Sequence, residues 1–173
     1  MKKAVITGSQ GIAHAVSHVL SADYNVINIS KSNGYDIADV GNWASEFVDY
    51  DVCINCAYDS WLQVNVLEEF CNIWNSKDKT IVSIGSTVSD YGRTEKHLDH
   101  QHFPYRLHKQ ALQNAFNRLV MSNNSNLKII NPGITNTRMV SHIESEKLST
   151  ELVANHIKML IESNELKRID LWV

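Results

Sequence analysis

A chain of 173 residues, 43% apolar and 20% charged, has the size and composition of one globular domain able to bury a sizeable core. Its net charge of −3, with no basic block, excludes the electrostatic footprint of a nucleic-acid binder, and no apolar run approaches membrane-spanning length. The three cysteines, Cys53, Cys56 and Cys71, are odd in number, and "MKKAVITG" is too short an apolar stretch for a secretion signal. Reduced thiols and a cytoplasmic location are therefore the expectation.

Short apolar runs alternate with longer segments of helical spacing. "KAVIT" (3–7), "NVINI" (25–29), "DVCINC" (51–56), "TIVSI" (80–84), "LKIIN" (127–131) and "RIDLWV" (168–173) read as strands. Their near-continuous apolar character predicts burial on both faces, as in a parallel sheet. Helices are expected at about 11–22, 40–48, 60–75, 104–123 and 149–163. No repeat, low-complexity tract or linker divides the chain. The alternation predicts a single α/β domain over residues 1–173, a doubly wound parallel sheet of the Rossmann type with helices on both faces. The stretch from Ser30 to Asp36 is too short for a helical crossover, so a third strand near Tyr35–Ile37 is a stub or absent.

In such a sheet, ligands sit beyond the carboxyl ends of the strands. The first strand ends in "TGSQGIA" (7–13). Gly8 permits a tight turn, and Gly11 lets the backbone approach a pyrophosphate at the helix N-terminus. Ser9, Gln10 and Ile12 complete the turn, and Ala13 is small enough for close helix–strand packing, where His14 would be harder to fit. The second strand ends in "SKS" with no acidic residue. Lys31, between Ser30 and Ser32, offers a cation and hydroxyls to a 2′-phosphate, so NADP(H) is preferred, with NAD(H) as the other candidate. Asp36 reads either as an acceptor for an adenine amino group or as a cap for the helix beginning near Val40.

"YRLHK" (105–109) follows Pro104 at the start of the fourth helix. Residues four apart share a helix face, so the Tyr105 phenol and the Lys109 ammonium can occupy one small volume. The same spacing describes an exposed tyrosine beside a solvated lysine, and the pair alone does not separate the two.

With "TGSQGIA", "NCAYD", "IGS", "YRLHK" and "NPGITNTRM" in that order, the chain resembles the short-chain dehydrogenase/reductase family from Thr7 to about Met139, as a short member. The resemblance implies a carbonyl–alcohol oxidoreductase in which Tyr105 is the acid/base and Lys109 binds nicotinamide-ribose hydroxyls and eases tyrosine ionisation. It places Ser86 on the substrate oxygen and makes Asn65 the match for the helix asparagine that supports a proton-relay water. Asn55, Ala57 and Tyr58 fall where a segment packs near the adenosine ribose. Pro132, Gly133, Thr135 and Thr137 fall where the nicotinamide is held. An unperturbed phenol, with a pKa of ~10, is a weak base at neutral pH, and a neighbouring ammonium together with the positive charge of an oxidised nicotinamide is expected to lower it by roughly 1–3 units.

The departures are specific. Tyr58 and Cys56 replace smaller or amide residues of the third-strand segment, and little chain lies between Met139 and the last helix. The glycine turn is also closer to the family's extended branch. Two rival readings therefore stay open: a non-catalytic NADP-binding sensor, and an extended-type epimerase or dehydratase. A homodimer or homotetramer acting on a small-molecule substrate is expected, paired through the helices at 60–75 and 104–123. "CINC" (53–56) sets its thiols on opposite faces of a strand, so simple burial is expected. His14 and His18 are read as helix surface. The loop "KHLDHQHFPY", with His97, Asp99, His100 and His102, is read as a border of the substrate pocket rather than a metal site.

Overall fold

The apolar runs form six parallel strands in a computed structural model that describes residues 1–90, 103–123 and 125–173. They are β1 (Lys2–Thr7), β2 (Tyr24–Ile29), β3 (Val52–Asn55), β4 (Thr80–Ile84), β5 (Asn126–Pro132) and β6 (Arg168–Leu171). Their spatial order is β2-β1-β3-β4-β5-β6, every neighbouring pair parallel. Parallel neighbours need crossovers, and the helices supply them: α1 (Ile12–Leu20), the single turn α2 (Val40–Trp43), α3 (Leu62–Ile73), α4 (Phe103–Ser122) and α5 (Thr150–Glu162).

The two faces of the sheet carry separate cores. Val5, Cys53, Ile81 and Ile129 point toward Trp43, Phe47, Phe70 and Trp74 and the inner face of α4. Alternate residues Ala4, Ile54, Val82 and Ile130 point toward α1 and α5. This accounts for the unbroken apolar runs of the central strands: in β3 and β4, and in nearly all of β5, residues of either parity are buried. It also separates Cys53 from Cys56, which pack on opposite faces.

The segment after β2 contains no strand. Two 3-10 turns, Lys31–Asn33 and Ile37–Asp39, lead into α2, and a further 3-10 turn, Ala44–Phe47, completes what was expected as one helix over 40–48. An aromatic cluster fixes the irregular stretch, with Trp43 edge-on to Tyr35 and Phe47. β2 is consequently an edge strand of the described sheet.

β1 runs out to β2, and the chain then returns to pair β3 on β1's other side. The strand order reverses here, and the strand ends open into a crevice. Thr7 holds the crevice together. Its buried hydroxyl accepts from the Cys56 and Ala57 amides, both at 2.9 Å, fastening the end of β1 to the chain leaving β3. Opposite, Asn28 Nδ2 donates to the Gly8 carbonyl at 2.9 Å. A different device fixes the last helix. The buried Lys128 of β5 donates to the Leu160 (2.6 Å), Ser163 and Leu166 (3.0 Å) carbonyls at the end of α5, giving three acceptors to three ammonium protons.

Thr7→Val keeps the shape of the side chain and strands two buried N–H groups. Urea denaturation should show a loss of about 2–4 kcal/mol, from two donors at about 1–3 kcal/mol each with partial relief by water. An unchanged midpoint would show that the hydroxyl does not hold the strand ends.

Candidate active site

The carboxyl ends of β1, β3, β4 and β5 surround a cavity of about 630 Å³, within the range of roughly 300–1,000 Å³ that small molecules and cofactors occupy. One end is the glycine turn. Gly8 has φ +98° and Gly11 has φ +57°, a region that residues with a Cβ rarely adopt. A Cβ on Gly11 would also lie 3.2 Å from Thr137 Cγ2, so the bare Gly11 backbone faces the Thr137 side chain across a narrow passage. Gly11 caps α1 without a side-chain bond, and the first turn of α1 carries no acidic residue. A helix N-terminus without a side-chain cap, at the positive end of the dipole, therefore meets the cavity, a setting suited to a diphosphate. Ala13, not His14, packs beneath Gly8, and His14 is exposed.

Ser86, Tyr105 and Lys109 meet at the other end. Ser86 leaves β4 in extended conformation and caps the 3-10 turn Thr87–Ser89, its Oγ accepting from Val88 N at 3.4 Å. Its hydroxyl is hydrogen-bonded to the Tyr105 phenol. Lys109, one helical turn beyond Tyr105, is only 4% exposed. Its ammonium donates to the Ile84 carbonyl and to Gln63 Oε1, both at 2.8 Å. It also lies 5.2 Å from the centre of the Tyr58 ring and 5.5 Å from that of Tyr105. The Tyr58 ring stands edge-on to Tyr105 at 5.0 Å, and its hydroxyl meets His108 Nδ1 at 2.9 Å.

Burial dominates the protonation of this pair. Desolvation draws the Lys109 ammonium down to about 8. It pushes the Tyr105 phenol up to about 12, against a smaller opposing pull from the Ser86 hydrogen bond. The lysine by itself does not lower the tyrosine: its ammonium is turned toward Ile84 and Gln63, and the loss of water sets the direction of the shift. Tyr105 is a firmly held proton.

Of the residues singled out in the sequence, Gly8, Ser9, Gln10, Gly11, Ile12, Ser30, Ala57, Tyr58, Pro132, Gly133, Thr135 and Thr137 line this cavity with Ser86, Tyr105 and Lys109. Five others do not. Asn65 is exposed on α3 and does not line the cavity. The helix residue that reaches Lys109 is Gln63, 1% exposed, which also donates to the Asn55 and Ile84 carbonyls at 2.9 and 3.0 Å. Asn55 is buried behind the wall, donating to the Gln63 carbonyl at 2.8 Å. Lys31 and Ser32 stand outside, Lys31 on Asp36 at 2.8 Å and Ser32 on the Ser30 hydroxyl at 2.9 Å. Asp36 accepts from Ala38 N and so caps the turn at Ile37–Asp39. His97, Asp99, His100 and His102 lie outside the described residues. Among the described residues no cluster of three metal-ligating side chains occurs.

Gln63 was missed because only a half-turn separates it from Asn65 in "LQVN", and sequence spacing does not fix the helix phase. The available signal was its place among the apolar positions Val66, Leu67 and Phe70, which makes it an inward polar residue.

No family model and no curated protein matches the sequence. Solved structures do match it over its whole length. A short-chain dehydrogenase from Burkholderia cenocepacia J2315 in complex with NADP has a TM-score of 0.77 at 14% identity, covering 100% of this chain and 90% of that one. The 3-alpha-hydroxysteroid dehydrogenase of Pseudomonas sp. B-0831, complexed with NADH, gives 0.76 at 18% identity over 99% and 95% of the two chains. An alcohol dehydrogenase from the archaeon Thermococcus sibiricus, complexed with 5-hydroxy-NADP, gives 0.76 at 16% over 100% and 96%. The likeness is one of fold: this chain has the architecture of the short-chain dehydrogenases.

The lowered pKa of Lys109 has a consequence for stability. Between pH 8 and 10.5 the unfolded chain binds more protons at this site than the folded one, so stability rises with pH through that window. Lys109→Met should remove this rise. The unfolding free energy of the wild type relative to the variant should increase on the order of 2–3 kcal/mol from pH 7.5 to 10.5, measured by urea denaturation. Any contribution from Tyr105 is shared by both proteins. A constant difference would mean that the lysine is not desolvated.

Proposed function

We propose that the protein is an NADP(H)-dependent oxidoreductase of the short-chain dehydrogenase/reductase family, interconverting a carbonyl and an alcohol on a small molecule. The observation that carries this reading is the meeting of Ser86, Tyr105 and Lys109 in the same cavity as the glycine turn of α1. A binding module would need the glycine turn, the α1 amides and a cavity. It would have no use for a buried phenol hydrogen-bonded to a serine and backed by a buried ammonium.

The residues fit a dinucleotide. The narrow passage between the Gly11 backbone and the Thr137 side chain, with the N-terminus of α1, would take its diphosphate, and Pro132, Gly133 and Thr135 would border its nicotinamide half. When bound, the cofactor would supply or accept the hydride. The protein's own task is then the proton. Ser86 donates a hydrogen bond to the substrate oxygen and orients it. Tyr105 gives its phenolic proton to that oxygen as it gains charge, which suits a phenol that stays protonated across neutral pH. Lys109 supplies positive charge beside the developing phenolate. Gln63 and Ile84 hold that charge in place by direct contact.

The test begins with a panel of aldehydes, ketones and 3-oxoacyl thioesters screened for NADPH oxidation. Net oxidation also separates this reading from an epimerase, which returns its cofactor unchanged. Tyr105→Phe removes one oxygen, and should lower reduction by roughly 10²-fold or more while NADPH binding and the melting temperature persist. Reduction by the variant at the wild-type rate would contradict the assignment.

A further inference from the structure

A strained turn after β3 sets a second tyrosine against Tyr105 and Lys109. Among the described residues other than glycine, Ser60 alone has a positive φ, +54°, a conformation that a side chain adopts at a cost and that persists where its surroundings enforce it. The Ala57 amide on the Thr7 hydroxyl (2.9 Å) fastens the chain before it, and Leu62 N closes the turn on the Asp59 carbonyl at 3.0 Å. Tyr58 lines the cavity, while Trp61, on the far side of Ser60, is half exposed. His108 of α4 joins the two: its Nδ1 meets the Tyr58 hydroxyl at 2.9 Å, and its ring packs edge-on to Trp61 at 4.5 Å. The Tyr58 ring in turn lies edge-on to Tyr105 at 5.0 Å. The Lys109 ammonium sits 5.2 Å and 5.5 Å from the centres of these two rings.

We propose that Tyr58, tethered by His108, is a positioning residue for proton transfer by Tyr105. The proposal rests on the oxidoreductase reading above. The Ser86 hydrogen bond fixes the Tyr105 oxygen but leaves the tilt of its ring to whatever packs against it. Tyr58 supplies that wall, and the wall stands still because its own hydroxyl is bound to His108 and Trp61 backs the imidazole. The same ring lies beside the Lys109 ammonium, so the spacing between that charge and the phenol is set from this side too. A smaller residue here, as the family pattern has it, would leave this flank of Tyr105 open. A ring that served only to fill space would need no hydroxyl partner; the bond to α4 turns packing into a tether. Proton transfer is sensitive to such placement, and a shift of about 1 Å can cost about 10²-fold in rate.

Tyr58→Phe keeps the ring and loses the tether, His108→Leu removes the other end of it, and His108→Asn retains a hydrogen-bonding group near the place of Nδ1. These variants, the Tyr58→Phe/His108→Leu double variant and wild type are compared for kcat on a carbonyl that wild type reduces. NADPH affinity is followed by its fluorescence, and stability by urea denaturation. In each of Tyr58→Phe and His108→Leu, kcat should fall roughly threefold to thirtyfold with the Kd for NADPH unchanged. The double variant should be no slower than the slower single one, because both changes break the same bond. His108→Asn should regain most of the lost rate. With wild type active, any of three results overturns this inference alone: wild-type kcat in both single variants whatever their urea midpoints, losses that multiply in the double variant, or a loss of NADPH affinity in place of kcat. A wild type that reduces nothing in the carbonyl panel overturns the oxidoreductase reading and this inference with it.

Discussion

The buried ammonium of Lys109 is the constraint on which the site depends. It comes from α4 and is bonded to the end of β4 through the Ile84 carbonyl and to α3 through Gln63. Gln63 in turn exchanges hydrogen bonds with Asn55 at the end of β3. Two strands and two helices therefore converge on one charge. Removing a cation from water is costly, and two acceptors with two aromatic faces offset only part of that cost; the fall of its pKa to about 8 is the measure of the remainder. A buried cation of this kind gains from any oxygen-rich ligand that enters the cavity beside it.

The two ends of the cavity have opposite chemistry. At the glycine turn, backbone amides and the α1 dipole favour an anion, and Thr7 fixes the geometry by clasping the chain that leaves β3. At the far end, burial keeps one proton on Tyr105 and loosens one on Lys109. The end that favours an anion is built of backbone. The other end is built of side chains whose pKa values are shifted in opposite directions by the same loss of water.

Most of the fold was legible in the sequence because its signals were local. The apolar runs of the central strands are buried on both faces and read as parallel strands, and Gly8 and Gly11 are required by positive φ angles that few other residues adopt. The Tyr105–Lys109 pair was legible from a four-residue spacing that fixes a shared helix face. What was not legible depends on tertiary placement. The phase of α3 decides that Gln63 enters and Asn65 does not. The turn after β2 decides that Lys31 meets Asp36 before any ligand. The direction of the tyrosine's shift is set by burial, which no four-residue motif encodes. Lys128 read as one polar residue in a strand, whereas its function is to bind the carbonyls ending α5, a helix more than twenty residues further along.

The central claim, that Lys109 completes a nicotinamide-dinucleotide site, separates from a purely structural role by comparing two ligands. NADPH carries the nicotinamide ribose, and 2′,5′-ADP does not. Equilibrium titration of wild type and Lys109→Met with each should show NADPH weakened by roughly tenfold or more in the variant, the loss expected for a charged hydrogen-bond partner. The affinity for 2′,5′-ADP should stay the same. Equal losses for the two ligands would contradict the account, since the lysine would then support the fold and not the cofactor.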